Sequence, residues 1–350
     1  MIDPIPFRIA PIFSPRIWGT HSLAPIYPEK SHLPEAIGEA WLTGMDCKIA
    51  NGPFQGKSLG DTWHSMPEEW RGARLSSSKD FPVLVKFIFP QDKLSIQVHP
   101  DDAYASQFEQ AAGGRGKTEM WHIVCARPGA ELLVGLRPGV DKAQFVAAVH
   151  QHTVEELFVR YPVHAGDTMF VPAGTQHAIL PGVIVCEVQE YSDLTYRVYD
   201  YGRVDSAGKA RELHLDKALQ VTNFSGMQGG KVVPLALHSP DANKHLLAAC
   251  EFFSTERWDC HKTTPIESDP LEFQLFVFLE GTGKFYDAEF SLPYERGEAW
   301  FLPASLQSIL LQPATSTALL RIVIPDRAEL HRQLRNVGFE DAVLSRVLMG

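Results

Sequence analysis

The chain has 350 residues, 45% of them hydrophobic and 21% charged, and a formal net charge of −10. That length is too great for one small core and suggests about two domains. No basic stripe offsets the negative charge, which argues against nucleic acid as a partner and leaves any anionic substrate to a local cluster of Lys and Arg. The 25 prolines and 26 glycines, spread along the chain, favour many short strands and turns over long helices.

The opening MIDPIPFRIAPIFSPRIWGT lacks a positively charged start followed by an apolar run, so no signal peptide is read. No stretch approaches the roughly 18 uninterrupted apolar residues of a membrane span. Residues up to about 80 hold short strand candidates such as EAWLTGM. Phe81 to Val98 reads as one or two buried strands. Asp101 and Asp102 open a short helix, AYASQFEQAA, closed by Gly113-Gly114. EMWHIVCA and AELLVGL predict a hairpin around Arg127-Pro128-Gly129. A helical insertion at about 138–160 follows, with DKAQFVAAVHQH at helical spacing and Thr153-x-x-Glu156 as a capping box. His150 and His152 diverge on that insertion and read as surface residues. In VHAGDTMFVPAGTQHAI, Gly166-Asp167 predicts a hairpin turn, Met169-Phe170-Val171 a buried strand, and Pro172-Ala173-Gly174 a turn that presents His177 inward.

SGMQGGKVVP, at 225–234, reads as a linker. Beyond it, Gly297-x5-Pro303-x-Ser305-x2-Ser308 repeats the frame Gly166-x5-Pro172-x-Gly174-x2-His177, with Ser308 in place of the histidine. Phe273, Leu275, Val277 and Leu279 recur at the strand period and predict an apolar inward face. From Asp326 a D-x-x-E cap precedes Leu330, Leu334 and Val337, a terminal helix ending near Gly338. The expected domains are therefore 1–228, which holds the His177 copy of the frame, 229–325, a degenerate second copy, and a helical tail at 326–350. Cys47, Cys125, Cys186, Cys250 and Cys260 are odd in number and lack CxxC spacing, which predicts free thiols and a cytoplasmic protein.

Four residues carry metal-ligand chemistry: Gln97 and His99 in LSIQVHP, Glu119 in GKTEMWH, and His177. The step of two from Gln97 to His99 places both on one strand face. Polar groups on so apolar a strand need partners, and a bound cation would be one. Two imidazoles, one carboxylate and one amide oxygen suit Zn²⁺ with a position left open for substrate.

The frame ending at His177 fits a cupin sequence motif. RIWGT, LSIQVHPDD, GKTEMWHI, GDTMFVPAGTQHAI and SDLTYRVYDYGR together resemble the type I mannose-6-phosphate isomerases of the cupin superfamily, in their family order. The resemblance implies a mainly β fold of two cupin-type β-barrel (jelly-roll) domains, only the first catalytic. It also implies one zinc per chain on Gln97, His99, Glu119 and His177. The reaction implied is interconversion of mannose 6-phosphate and fructose 6-phosphate through an enediolate, in a form without the large helical insertion of some relatives. The alternatives are a metal cupin acting on another sugar or sugar phosphate, and a non-catalytic sugar-phosphate sensor.

Arg197 matches the family's arginine at the catalytic centre. Its permanent charge suits stabilisation of an anion and excludes it as a base. The other reading is a structural ion pair with Asp193 or Asp200. Lys117 should share the strand face of Glu119, with phosphate or a polarised hydroxyl as its partner. Ser95 resembles a hydroxyl that helps hold phosphate, or is a plain strand hydroxyl. Glu187, in an otherwise apolar strand, should have a raised pKa suited to a base or proton relay, with a metal-bound hydroxide or adjacent water as the competing choice.

Overall fold

The computed structural model describes residues 3–76, 78–204, 207–225 and 229–349. The chain is mainly β, in four antiparallel sheets. In the first half a seven-stranded sheet runs in the order Gly230–Lys231, Thr168–Val171, Glu119–Ala126, Val183–Glu190, Val83–Ile88, Ile37–Trp41, Ile12–Thr20. A five-stranded sheet faces it, ordered Tyr196–Tyr199, Ile96–Val98, His177–Ile179, Glu131–Leu136, Phe158–Pro162. The second half repeats the arrangement. Its seven-stranded sheet includes Ala299–Leu302, Gln274–Glu280, Thr317–Val323 and Ser254–Cys260, and its four-stranded sheet includes Thr264–Ile266 and Ile309–Pro313.

The layers follow from which faces are apolar. Ile88, Trp121, Ile123, Val134, Met169, Val171 and Val185 fill the space between the two sheets of the first half. Their strand neighbours Val85, Phe87, Met120, Cys186 and Val188 point the other way, into a core shared with the second half. A strand apolar on both faces reads as an unbroken run, and all six residues of Val83–Ile88 are buried. The outer face of the five-stranded sheet is covered by the helices Lys142–His150 and Leu215–Val221.

Several expectations are corrected. Phe273, Leu275, Val277 and Leu279 face the first half, where Phe273 lies 5.6 Å from Phe81 and stacks on Phe301 at 4.7 Å. The interior of the second half is instead filled by the alternate positions Phe276 and Phe278 with Phe285, Tyr294, Trp300 and Leu311. Neither expected hairpin forms. The turn at Arg127 and the turn at Gly166, where φ is +91°, each carry the chain from one sheet to the facing one. A tight turn has the same residue chemistry whether its flanking strands pair or cross a sandwich. The 3-10 turn Val154–Leu157 starts without a side-chain cap from Thr153; the capping box sits instead at Asp141 and Gln144. Val337 lies beyond the last turn of Arg327–Asn336 and is 73% exposed, while Leu334 is buried.

Of the expected linker, residues 226–228 lie outside the described residues, and Gly230–Lys231 pair with Phe170 and Met169 as an edge of the first half's sheet. Conversely, Phe7–Ile9 pair with Ala299–Phe301 at the edge of the second half's sheet. All five cysteines are free, with Cys125 half-buried, and His150 and His152 are exposed. Among the described residues, no helix is long and apolar enough to cross a membrane.

Candidate metal centre and active site

Strand pairing assembles the site at one end of the first half's interior. In the five-stranded sheet Gln97 is opposite both His177 and Arg197, so the three side chains leave on the same face. In the facing sheet Glu119 pairs with Gln189, and Glu187 pairs with both Trp121 and Lys86. His99 follows its strand and keeps the alternation begun at Gln97.

His99, Glu119 and His177 are buried, with one potential ligand atom from each within 4.8 Å of the others. His177 Nε2 lies 3.2 Å from Glu119 Oε1 and His99 Nε2 lies 3.8 Å from it. Of the Gln97 amide, the nitrogen lies 3.2 Å from His177 Nε2, while the oxygen expected to face a metal lies 3.5 Å from the Ser95 hydroxyl. Each imidazole donates its Nδ1–H to a backbone carbonyl, His99 to Leu194 at 2.7 Å and His177 to Thr175 at 2.9 Å. That fixes the tautomer and leaves both Nε2 lone pairs facing the carboxylate. Burial pushes the His99 pKa well below its usual value and that of His177 down to about 4, so both rings are neutral. His99 Nε2 and Glu119 Oε1 are buried without a hydrogen-bond partner. These two acceptors, 3.8 Å apart with no donor between them, repel one another, and a cation between them relieves the repulsion. The donor set therefore fits a divalent metal.

Lys117 lies beside this cluster, its Nζ 2.9 Å from Glu119 and 3.1 Å from Glu187. Burial disfavours its ammonium, but the carboxylates of Glu119 and Glu187 outweigh that and raise its pKa, so it stays charged. The anion expected to compensate Lys117 is thus supplied by the protein itself, because Glu187 arrives from a strand not visible in the local sequence. Burial raises the Glu187 pKa, against the opposing pull of Lys117.

Arg197 makes neither of the ion pairs considered for it. Asp193 holds Lys86 at 2.5 Å, and Asp200 is held by Arg203 at 2.5 Å and by Arg211 Nε at 2.8 Å. Arg197 donates one bond to the Glu212 carbonyl at 3.0 Å, and its buried Nε has no partner. Ser95 is buried, with its hydroxyl 3.5 Å from Gln97 Oε1. Sequence reasoning passed over Lys86, which shares the Glu187 face and sits 4.2 Å above the Trp41 ring. A lone lysine inside VLVKFIF was the available signal. It also missed Trp121, whose ring is edge-on to His177 at 5.3 Å.

The second half holds different groups in the same frame. Glu119 is opposite Val171, the residue before Pro172; Gln274 is opposite Leu302, the residue before Pro303. Arg321 is opposite Phe276 as Glu187 is opposite Trp121. Arg321 donates to Gln274 Oε1 at 2.5 Å and pairs with Glu256 at 3.1 Å, so a tethered guanidinium fills this polar end. Ser308 is exposed.

The comparisons agree with this architecture. Residues 7–120 match the family model for the phosphomannose isomerase type I catalytic domain, and residues 242–321 that for the mannose-6-phosphate isomerase cupin domain. The chain is 32% identical over 312 residues to mannose-6-phosphate isomerase ManA of Bacillus subtilis (strain 168), covering 88% of this chain and 96% of that one. It is 30% identical over 298 residues to the mannose-6-phosphate isomerase of Streptococcus mutans, covering 84% and 90%. The crystal structure of the mannose 6-phosphate isomerase from Bacillus subtilis superposes with a TM-score of 0.82 at 30% identity, over 91% of this chain and 99% of that one. With a relative this similar along nearly its whole length, the chain belongs to the type I mannose-6-phosphate isomerase family, a family of aldose–ketose isomerases.

Proposed function

We propose that this chain interconverts mannose 6-phosphate and fructose 6-phosphate in its first half, with one zinc held by Gln97, His99, Glu119 and His177. The observation that carries the reading is the set of unpartnered acceptors, His99 Nε2 and Glu119 Oε1, beside a buried Lys117–Glu187 pair. Zinc bound there would supply a Lewis acid that polarises a sugar oxygen. Glu187, its pKa raised by burial, takes the proton from C2 and returns it at C1. The Lys117 ammonium, fixed between two carboxylates, hydrogen-bonds both sugar oxygens and relays the second proton, giving one to O1 as it takes the one that leaves O2. Arg197, with no carboxylate partner, supplies the positive charge that the anion meets. Ser95, Lys117 and Arg197 are the groups we assign to substrate binding.

The test is turnover of mannose 6-phosphate against free mannose, with the metal content measured on the same preparation. The phosphate should be worth on the order of 100-fold in kcat/KM, the equivalent of one or two hydrogen bonds to a charged group. Equal turnover of free mannose would sink the substrate assignment, and two metals or none per chain would sink the site.

The second half, from about residue 229 to 325, we assign no catalytic or metal role. Ser308→Ala should leave metal content and kcat within about twofold of the parent, as an exposed substitution away from any cluster does. A tenfold loss of either would return this half to the active machinery.

A further inference from the structure

The helix Leu215–Val221 lies against the outer face of the five-stranded sheet, and each of its ends is bonded to a different part of the site. At its start, the His214 N–H donates to the Arg197 carbonyl at 2.7 Å, and the Arg197 N–H donates to His214 Nδ1 at 3.2 Å. The preceding Glu212 carbonyl accepts the Arg197 guanidinium. At its end, the Asn223 N–H donates to the Gly174 carbonyl at 2.9 Å, within the turn that carries His177. Gln176, adjacent to His177 and 1% exposed, donates its amide N–H to Thr222 Oγ1 at 2.9 Å. The Thr222 hydroxyl in turn donates to the Ala218 carbonyl at 2.6 Å, which aims its lone pairs at Gln176.

The turn also reaches the second histidine, since the Gly174 N–H donates to the His99 carbonyl at 2.8 Å. Gly174 has φ +82°, and a Cβ there would lie 3.0 Å from the Val221 carbonyl, so the approach of helix and turn depends on glycine. The contacts form one chain of short bonds, from Arg197 through the helix to the turn before His177 and on to His99. A residue whose only link to the site is this chain affects chemistry by holding ligands in place.

We propose that the helix Leu215–Val221 is a strut that fixes Arg197 relative to His177, with Thr222 and Gln176 as positioning residues for the metal-ligand turn. The proposal rests on the zinc reading above and goes beyond it, because neither residue touches metal or substrate.

The test uses the full-length, zinc-loaded enzyme and reads zinc release to a chromogenic chelator together with kcat and KM. Thr222→Val keeps the branched shape and removes the hydroxyl. It should release zinc about tenfold faster and lose about tenfold in kcat, with KM for mannose 6-phosphate within about twofold, the scale of a supporting contact to a ligand. Thr222→Ser should restore both. Gln176→Met removes the same bond from its other side, and the double variant should be no worse than the more affected single, since the two share one interaction. Should Thr222→Val fail to fold, Gln176→Met carries the same expectation. Zinc release at the parental rate from either variant, or single effects that multiply in the double, would overturn the strut while leaving the site intact. A parental enzyme that takes up no zinc would overturn the underlying reading and this proposal with it.

Discussion

Replacing His99 by alanine should lower kcat/KM on mannose 6-phosphate by on the order of 10³-fold, the scale seen when a preorganised electrostatic group is removed from a developing anion. Two effects act together. The Nε2 donor is lost from a cluster whose atoms lie within 4.8 Å, which weakens the hold on the ion. The Glu119 carboxylate is then left buried against the neutral ring of His177 with less to compensate it. Metal content measured beside kinetics separates these effects: the variant should purify with well under one metal per chain and regain little activity in excess zinc. Retention of full metal and more than a tenth of the activity would show that His99 is not a ligand.

Glu187→Gln should be nearly as damaging, with kcat reduced by roughly 10²- to 10⁴-fold, the usual share of a general base. The amide keeps the size of the carboxyl and removes its basic oxygen. Lys117 retains Glu119 as a partner at 2.9 Å, so the fold and metal content should be unaffected. The pH profile adds a second readout. Burial raises the Glu187 pKa, so the parent's kcat/KM should fall on the acid side as that carboxylate is protonated, and the variant's should not. A variant within threefold of the parent would transfer the proton step to a water next to the ligands.

What could be read in advance divides along physical lines. The residues that gather at the candidate metal cluster were legible because His99 sits one strand step from Gln97 and His177 follows a turn marked by Pro172 and Gly174. Strand positions were legible for the same reason, since apolar runs and turn residues are local properties. Sheet membership was not. The turns at Arg127 and Gly166 look like hairpins, yet they lead from one layer of a sandwich to the other. The facing of Phe273, Leu275, Val277 and Leu279 was equally hidden, because both sides of their strand are apolar and only the partner sheet decides which is inside. The ion pairs around the site depend on pairings between distant residues. Lys86 reaches Asp193 and Lys117 reaches Glu187, and no window of sequence contains either pair.

The edge strand Phe7–Ile9 has a consequence for how the chain is made. Phe7 pairs with Phe301, 301 − 7 = 294 positions later. At bacterial or eukaryotic synthesis rates the partner leaves the ribosome on the order of tens of seconds after the first strand. Phe7 and Ile9 are both fully buried in the finished protein, so during that interval two large apolar side chains lack their final site. The sheet of the first half waits as well, because its outward face meets water until the second half covers it. Burial of the first strand is therefore tied to synthesis of Ala299–Leu302, and a nascent chain stalled before residue 299 carries an uncovered apolar sheet face with no means of closing it.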